Sequence, residues 1–275
     1  MNAVDLESLE VDLLLEAIYR QYGYDFRSYA RASIDRRVRQ FMSAQGIGRI
    51  SELIPRVLHD IDFFSQLARN FSIAVTEMFR DPFVYRVLRE EVLPILRTYP
   101  FVKIWHAGCA TGEEVYSLAI VLQEEGLYER VTIYGTDFND EVLERARQGI
   151  YPADRIKEFT RNYRDAGGKK SFSEYYHAHY DSAMLNAELK QRITFANHNL
   201  VTDAVFGEMH LVVCRNVLIY FNRELQNRAL RLFEESLIRG GFLCLGSKED
   251  LHLTAVAGSF ETVDPKARIY KKKVQ

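Results

Sequence analysis

The chain has 275 residues, of which 47% are hydrophobic and 27% charged, and a net charge of −2. That length allows one large domain or two smaller ones. The charge balance excludes a strongly basic nucleic-acid binder, and the apolar runs are too short to span a bilayer. The opening Met-Asn-Ala-Val-Asp-Leu-Glu is not a signal peptide, and three separated cysteines, Cys109, Cys214 and Cys244, suit a reduced, cytoplasmic interior. His177-x-His179 alone is too little for a metal site.

Residues 1–70 read as an N-terminal helical domain. Leu13, Leu14, Ala17 and Ile18 form one apolar face that ends near Gly23. The next helix carries Ile34, Val38, Phe41 and Met42, and closes at Gly46 and Gly48. Around it stand Arg27, Arg31, Arg36, Arg37 and Arg39 against a single acid, Asp35. A solvated face is the ordinary meaning of such a run. Five arginines without a lysine favour a docking surface for an acidic partner, with Arg36, Arg37 and Arg39 opposite or beside the apolar stripe. A third helix is expected over 51–69. Residues 71–98 are a linker and a leading helix, with Asp81 as N-cap and Pro82 at the first helical position. Thr76, Glu77 and Arg80 sit on that linker, where ligand contact and simple capping are equally open.

The domain over 99–275 begins with a β-prone run, Val102 to Trp105, a glycine turn, Gly108 to Gly112, and an apolar helix through Val115, Leu118 and Leu122. This is the first βα unit of an α/β nucleotide-binding sheet, whose ligands sit off the carboxyl ends of the strands. No lysine follows the last glycine and there is no G-x-G-x-x-G. Glu113 and Glu114 suit the helix dipole but would repel a pyrophosphate. The next strand, Val131 to Asp137, ends in an acid where such folds bind ribose hydroxyls. Together these point to S-adenosylmethionine, whose sulfonium and ammonium are cationic. The alternative is a structural turn followed by a solvated aspartate.

A helix from Asn139 to Gln148 follows, ended by Gly149. Residues 151–191 break the βα rhythm and read as an inserted small β-subdomain of short antiparallel strands. The sheet resumes at Ile193–Phe195 and at Met209–Cys214, a run apolar enough for a strand buried on both faces. A helix from Asn222 to Ile238 is closed by Gly240-Gly241. Phe242 to Gly246 is a further strand, and 260–263 with 268–271 form a terminal hairpin.

Several separated motifs then agree: Thr76-Glu-Met-Phe-Arg-Asp81, Ala107-Gly-Cys-Ala-Thr-Gly-Glu-Glu114, Gly135-Thr-Asp137, His198-Asn-Leu200 and Cys214-Arg-Asn-Val-Leu-Ile-Tyr-Phe221. In order and spacing, along nearly the full length, the chain resembles the CheR family of chemotaxis receptor methyltransferases. The resemblance implies a Rossmann-like S-adenosylmethionine-dependent methyltransferase sheet, α/β in class, with a helical N-terminal domain and an inserted β-subdomain. The implied reaction methylates glutamate side chains on the cytoplasmic helices of chemoreceptors and leaves S-adenosylhomocysteine. It also implies that Thr76 and Arg80 reach the methionine end, that Ala107, Gly108 and Glu113 line the turn, and that Asp137 holds the ribose. Asn199 and Leu200 would border the adenine, with Asn216 nearby, while Arg215 and Tyr220 face the acceptor.

His106 and Met78 depart from the family pattern at positions usually small and aromatic. The segment between His179 and Gln191 lacks the glycine-containing loop of relatives that grip a receptor's C-terminal tether, so tether binding is not expected. A monomer is expected. A methyltransferase for another carboxylate, or a non-catalytic cofactor-sensing or docking module, are the competing functions. The retained Arg215 and Tyr220 argue against the module.

Overall fold

The computed structural model describes residues 3–71 and 76–274. The first part of the expected linker, 72–75, lies outside the described residues. The chain divides into two compact units, Met1–Ile73 with Ile219–Arg228, and Ala74–Leu218 with Ala229–Gln275.

The first unit contains α1 (Ala3–Tyr22), α2 (Arg31–Gln45), α3 (Leu53–His59) and α4 (Ile61–Phe71). Its core is Val11, Leu14, Leu15 and Ile18 on Ile34, Val38, Phe41, Val57, Phe64 and Leu67. The apolar stripe of α1 is thus rotated from the expected one, and Leu13 faces solvent. The single helix expected over 51–69 is broken at Asp60. That residue is extended, and its carboxylate accepts from the Asp62 and Phe63 N–H groups, both at 3.0 Å, and so caps α4. The chain returns to this unit much later. Tyr29 bridges Phe221, the Ala30 N–H donates to the Tyr220 carbonyl at 2.8 Å, and the Asn222 N–H donates to that of Ser28 at 2.9 Å.

The second unit opens with α5 (Pro82–Val87), which continues through one π-turn, Leu88–Val92, into α6 (Leu93–Leu96). Then come β1 (Val102–Ala107), α7 (Glu113–Glu124), β2 (Val131–Asp137), α8 (Asp140–Gln148), β3 (Ile150–Pro152) and α9 (Ile156–Asp165). β4 (Tyr176–His179), β5 (Ser182–Leu185), β6 (Ile193–Asn197) and β7 (Met209–Cys214) follow. After α10 (Arg223–Ser236), which starts in the returning segment, β8 (Leu237–Leu245), β9 (Phe260–Asp264) and β10 (Ile269–Lys272) complete the chain.

Seven strands form one sheet in the order β6-β2-β1-β7-β8-β10-β9, in which only β10 runs against the rest. β3, β5 and β4 form a small antiparallel sheet. Two boundaries differ from expectation. The helix expected to end at Ile238 stops at Ser236, and β8 starts at Leu237, so Gly240 and Gly241 lie within a strand. The inserted segment is also partly helical. In α9, Phe159, Asn162 and Tyr163 are buried on one face.

α7 is fixed by buried acids at both ends. At its carboxyl end Glu124, which the helix dipole disfavours there, is held by Arg89 and the Tyr163 hydroxyl. It also accepts from the Tyr175 hydroxyl and the Lys169 N–H, each at 2.9 Å. One carboxylate thereby seats the inserted segment on the first helix of the sheet. At the sheet centre Trp105, the only tryptophan, is fully buried, and its Nε1 donates to Thr136 Oγ1 at 2.8 Å. Thr136→Val keeps the shape but strands that donor, and should cost about 1–3 kcal/mol. Urea unfolding followed by the fluorescence of this one indole is the measurement.

Candidate functional site

From β1 the chain passes to β2 on one side and, later, to β7 on the other. The carboxyl ends of β1 and β7 therefore flank the switch point where open α/β sheets take ligands. The turn after β1 is shaped for close approach. Gly108 lies at φ +74°, and a Cβ there would stand 2.5 Å from Val217 Cγ2. Gly112, at φ +88°, starts α7, and Ala110 is held at φ +47°. The Gly108 and Cys109 N–H groups both donate to the Thr136 carbonyl, at 2.8 and 2.9 Å, so the turn folds onto the end of β2.

Asp137 is fixed by that fold. One carboxylate oxygen accepts from the Ala110 N–H at 3.0 Å and the other from the Asn139 N–H at 3.1 Å. A carboxylate so held can still accept from a further donor, such as a ribose hydroxyl. Burial pushes this carboxyl up to about 6, against the pull of the Asn139 and Ala110 N–H groups. Glu113 is only 6% exposed and accepts from Thr111 Oγ1 at 2.6 Å. Burial raises it, and the Thr111 hydroxyl works the other way. Two carboxyls around a glycine turn fit a ligand with cationic groups and vicinal hydroxyls, and suit an anionic phosphate poorly.

The linker lies against this turn. The Phe79 N–H donates to Ser117 Oγ at 2.9 Å, and the Ser117 hydroxyl donates to the Glu113 carbonyl at 2.6 Å. Arg155 reaches the Thr76 carbonyl at 3.4 Å, and the Tyr151 hydroxyl donates to the Thr111 carbonyl at 2.8 Å. Ala107, Gly108, Glu113 and Asp137 therefore share one turn, with Thr76 and Arg80 on the linker beside it. Asn199 forms a local turn, with its side chain accepting from the Val201 N–H at 2.9 Å, and Leu200 is buried. Asn216, at φ +61°, donates its N–H to Glu249 at 3.1 Å.

Arg215 is placed differently from the expectation that it meets an incoming carboxylate. Its guanidinium pairs with Glu114, donates to Asp81 at 2.7 Å and to the Arg80 carbonyl at 3.2 Å, and its side chain is 2% exposed. Both terminal nitrogens are committed inside the protein, so no paired face is left for a substrate. Burial would raise Glu114, but Arg215 and then His106 hold it down at about 2. Burial would lower Arg215, and Glu114 outweighs it. Asp81 is also not the side-chain N-cap expected. It sits at φ +52° with its carboxylate turned to Arg215. Tyr85, His106, Glu114, Arg215 and Cys244 share the lining of a small cavity with the apolar Val84, Leu88, Leu118 and Val213.

Sequence reasoning missed Asp81 and Glu114 as partners of Arg215, and His106 as a neighbour of Glu114. A usable signal was present, because consecutive helical residues point about 100° apart. Glu113 and Glu114 cannot both face the turn.

Tyr220 falls in the first unit, where the Arg37 guanidinium lies 5.5 Å from its ring centroid. The arginines around α2 are not the uncompensated face expected. Arg39 pairs with Glu7 at 2.7 Å, Arg31 with Asp12 and Asp35, and Arg27 with Glu16 and Asp25. Arg37 is buried and donates to the Asn70 carbonyl at 2.5 Å. The missing acids come largely from α1, which the count around α2 left out. Arg36 is exposed. Among the described residues no His, Cys, Asp and Glu cluster could hold a metal, and no helix is long and apolar enough to cross a membrane.

Comparison with known proteins agrees with this geometry. Residues 74–268 match the family description "CheR methyltransferase, SAM binding domain", and residues 9–72 match "CheR methyltransferase, all-alpha domain". The Pseudomonas putida protein Cher3, whose name marks it as a methyltransferase candidate, is 52% identical over 264 residues, covering 96% of this chain and 97% of its own. A chemotaxis protein methyltransferase of Listeria innocua is 30% identical over 90% of this chain and 92% of its own. Another, from Borreliella burgdorferi, is 26% identical over 90% of each. With an all-alpha domain followed by a domain that binds S-adenosylmethionine, its cofactor, the chain belongs to the CheR methyltransferase family.

Proposed function

We propose that this methyltransferase acts in chemotaxis, converting glutamate side-chain carboxylates on the cytoplasmic helices of bacterial chemoreceptors into methyl esters. The observation that carries the reading is the family match across both units, together with relatives named as chemotaxis methyltransferases that align over 90% of the chain. Such a substrate puts the protein in the cytoplasm, where we propose that it works as a monomer.

The site asks little of acid–base groups. When bound, S-adenosylmethionine supplies an electrophilic methyl: the acceptor oxygen forms the new O–C bond, the C–S electron pair stays on sulfur, and no proton moves. The chain's own task is to align the reactants and exclude water from two opposite charges. In this reading Asp137 accepts from the ribose hydroxyls, and Glu113, held by Thr111, faces the ammonium. Thr76 and Arg80 take the methionine carboxylate, Ala107 and Gly108 let the ligand lie close, and Asn199, Leu200 and Asn216 border the adenine side. Tyr220 serves the acceptor. Arg215 acts through Arg80 and Asp81 as a positioning residue. On α2, Arg36 and Arg39 steer an acidic receptor helix, while the buried Arg37 serves the fold.

Four outcomes check this. Because the Asp137 carboxylate is the acceptor and burial puts it near 6, affinity for S-adenosylhomocysteine should be level above pH 6 and fall as acid protonates the group below it. Calorimetry across pH should show that step vanish in Asp137→Asn, which should also bind about 1–3 kcal/mol more weakly.

Arg215→Ala leaves Glu114 and Asp81 without their cation. It should lose about 3–5 kcal/mol of stability and weaken cofactor binding along with turnover, measured by denaturant titration and by binding. Intact cofactor affinity with a selective rise in receptor KM would instead put Arg215 at the acceptor.

Reversing Arg36 and Arg39 to glutamate should raise receptor KM, more at low salt, and spare cofactor binding. A receptor lacking its C-terminal tether should be methylated as well as the intact one.

A further inference from the structure

With Arg215 enclosed and Arg80 assigned to the methionine carboxylate, the acceptor carboxylate needs another partner, and Arg155 is beside the turn and partly open to solvent. Arg155 stands just ahead of α9. Its Nη2 reaches the Thr76 carbonyl at 3.4 Å, and its Nε donates to Glu158 at 3.0 Å. It lies near enough to Glu113 to stabilise that carboxylate. Its side chain is 37% exposed and that of Glu158 39%. No residue among those described binds its Nη1.

We propose that Arg155 binds the acceptor glutamate carboxylate beside the methyl donor, and that Glu158 occupies that place on the guanidinium until substrate displaces it. The assignment rests on the glutamate reading above. Its physical basis is exchange of like for like. An ion pair this exposed is weak and screened, so its partner can be replaced at little cost. The Arg215 guanidinium, with its side chain 2% exposed, cannot trade partners that way, because an unpaired charge on it would be left out of water. A planar guanidinium can also hold both carboxylate oxygens and so fix which lone pair faces the methyl.

A second feature fits. Glu77 is next to Thr76; burial and then the neighbouring Glu158 raise its carboxyl, while that of Glu158 is lowered. Once Glu158 leaves, the incoming carboxylate takes over the anionic partner's position on the guanidinium.

The test uses the full chain, a receptor cytoplasmic fragment and labelled S-adenosylmethionine, with calorimetry of S-adenosylhomocysteine as the independent readout. Arg155→Ala should raise receptor KM about tenfold or more, on the scale of a lost charged hydrogen bond, with cofactor affinity within about twofold of wild type. Arg155→Lys, which keeps the charge but not the fork, should restore part of it. Glu158→Gln should lower receptor KM, the result a merely structural ion pair would not give.

Cofactor affinity falling in step with methylation in Arg155→Ala would make the residue a cofactor ligand and overturn the assignment. So would unchanged receptor kinetics in both Arg155→Ala and Glu158→Gln. A wild-type protein that methylates no receptor glutamate would sink the glutamate reading, and this assignment with it. A wild type that does, with an indifferent Arg155→Ala, would sink this assignment alone.

Discussion

The buried meeting of Arg215 with Glu114 and Asp81 is the constraint on which the site depends. Three parts of the chain end there: the linker, the first turn of α7 and the end of β7. Charges removed from water repay that cost only when every partner is present, so the cluster tolerates one arrangement of the linker and penalises others. The linker's Thr76 and Arg80 are thereby held against the glycine turn. With Glu114 held near 2 against an ordinary value of 4.5, its contribution is complete above about pH 4.5 and is lost as pH falls toward 2. Across the neutral range Glu114 does not titrate, whereas Asp137 does just below it.

The two ends of α7 obey one rule. A buried carboxylate at each end gathers groups from segments distant in sequence, Arg215 at the start and Arg89, Tyr163 and Tyr175 at the finish. The helix is therefore a fixed bar. The cofactor linker is tied to one end of it and the inserted segment to the other. Arg155, at the start of α9, belongs to that inserted segment yet reaches the linker's Thr76. The insertion and the cofactor linker are thereby joined directly as well as through the helix.

Much of the sheet was legible because its signals are local. The apolar run before Cys214 and the glycine turn after Ala107 each report on a few neighbouring residues. The helical part of the insertion was missed: Ile156, Phe159 and Tyr163 keep helical spacing, but the polar residues between them hid it. What the sequence could not show were pairings across distance. Arg215 and Glu114 are 101 residues apart and Arg39 and Glu7 are 32 apart, so neither acid could be credited to its arginine. The same blindness made α2 look uncompensated and Arg215 look available. Asp81 was misread for a related reason: a carboxylate before proline suggests an N-cap only while no stronger cation is in reach.

The return of residues 219–228 to the first unit makes that unit discontinuous in the chain. Tyr29, Ala30 and Ser28 find their backbone partners in a segment that leaves the ribosome about 150 residues after the four helices. At ~5–20 residues per second of synthesis, that is a wait of roughly 10–30 s. During it the helical unit has an unpaired edge and cannot reach its final form. The usual N-to-C order of domain completion is therefore unavailable here: the first unit to emerge must wait for a segment that follows most of the sheet.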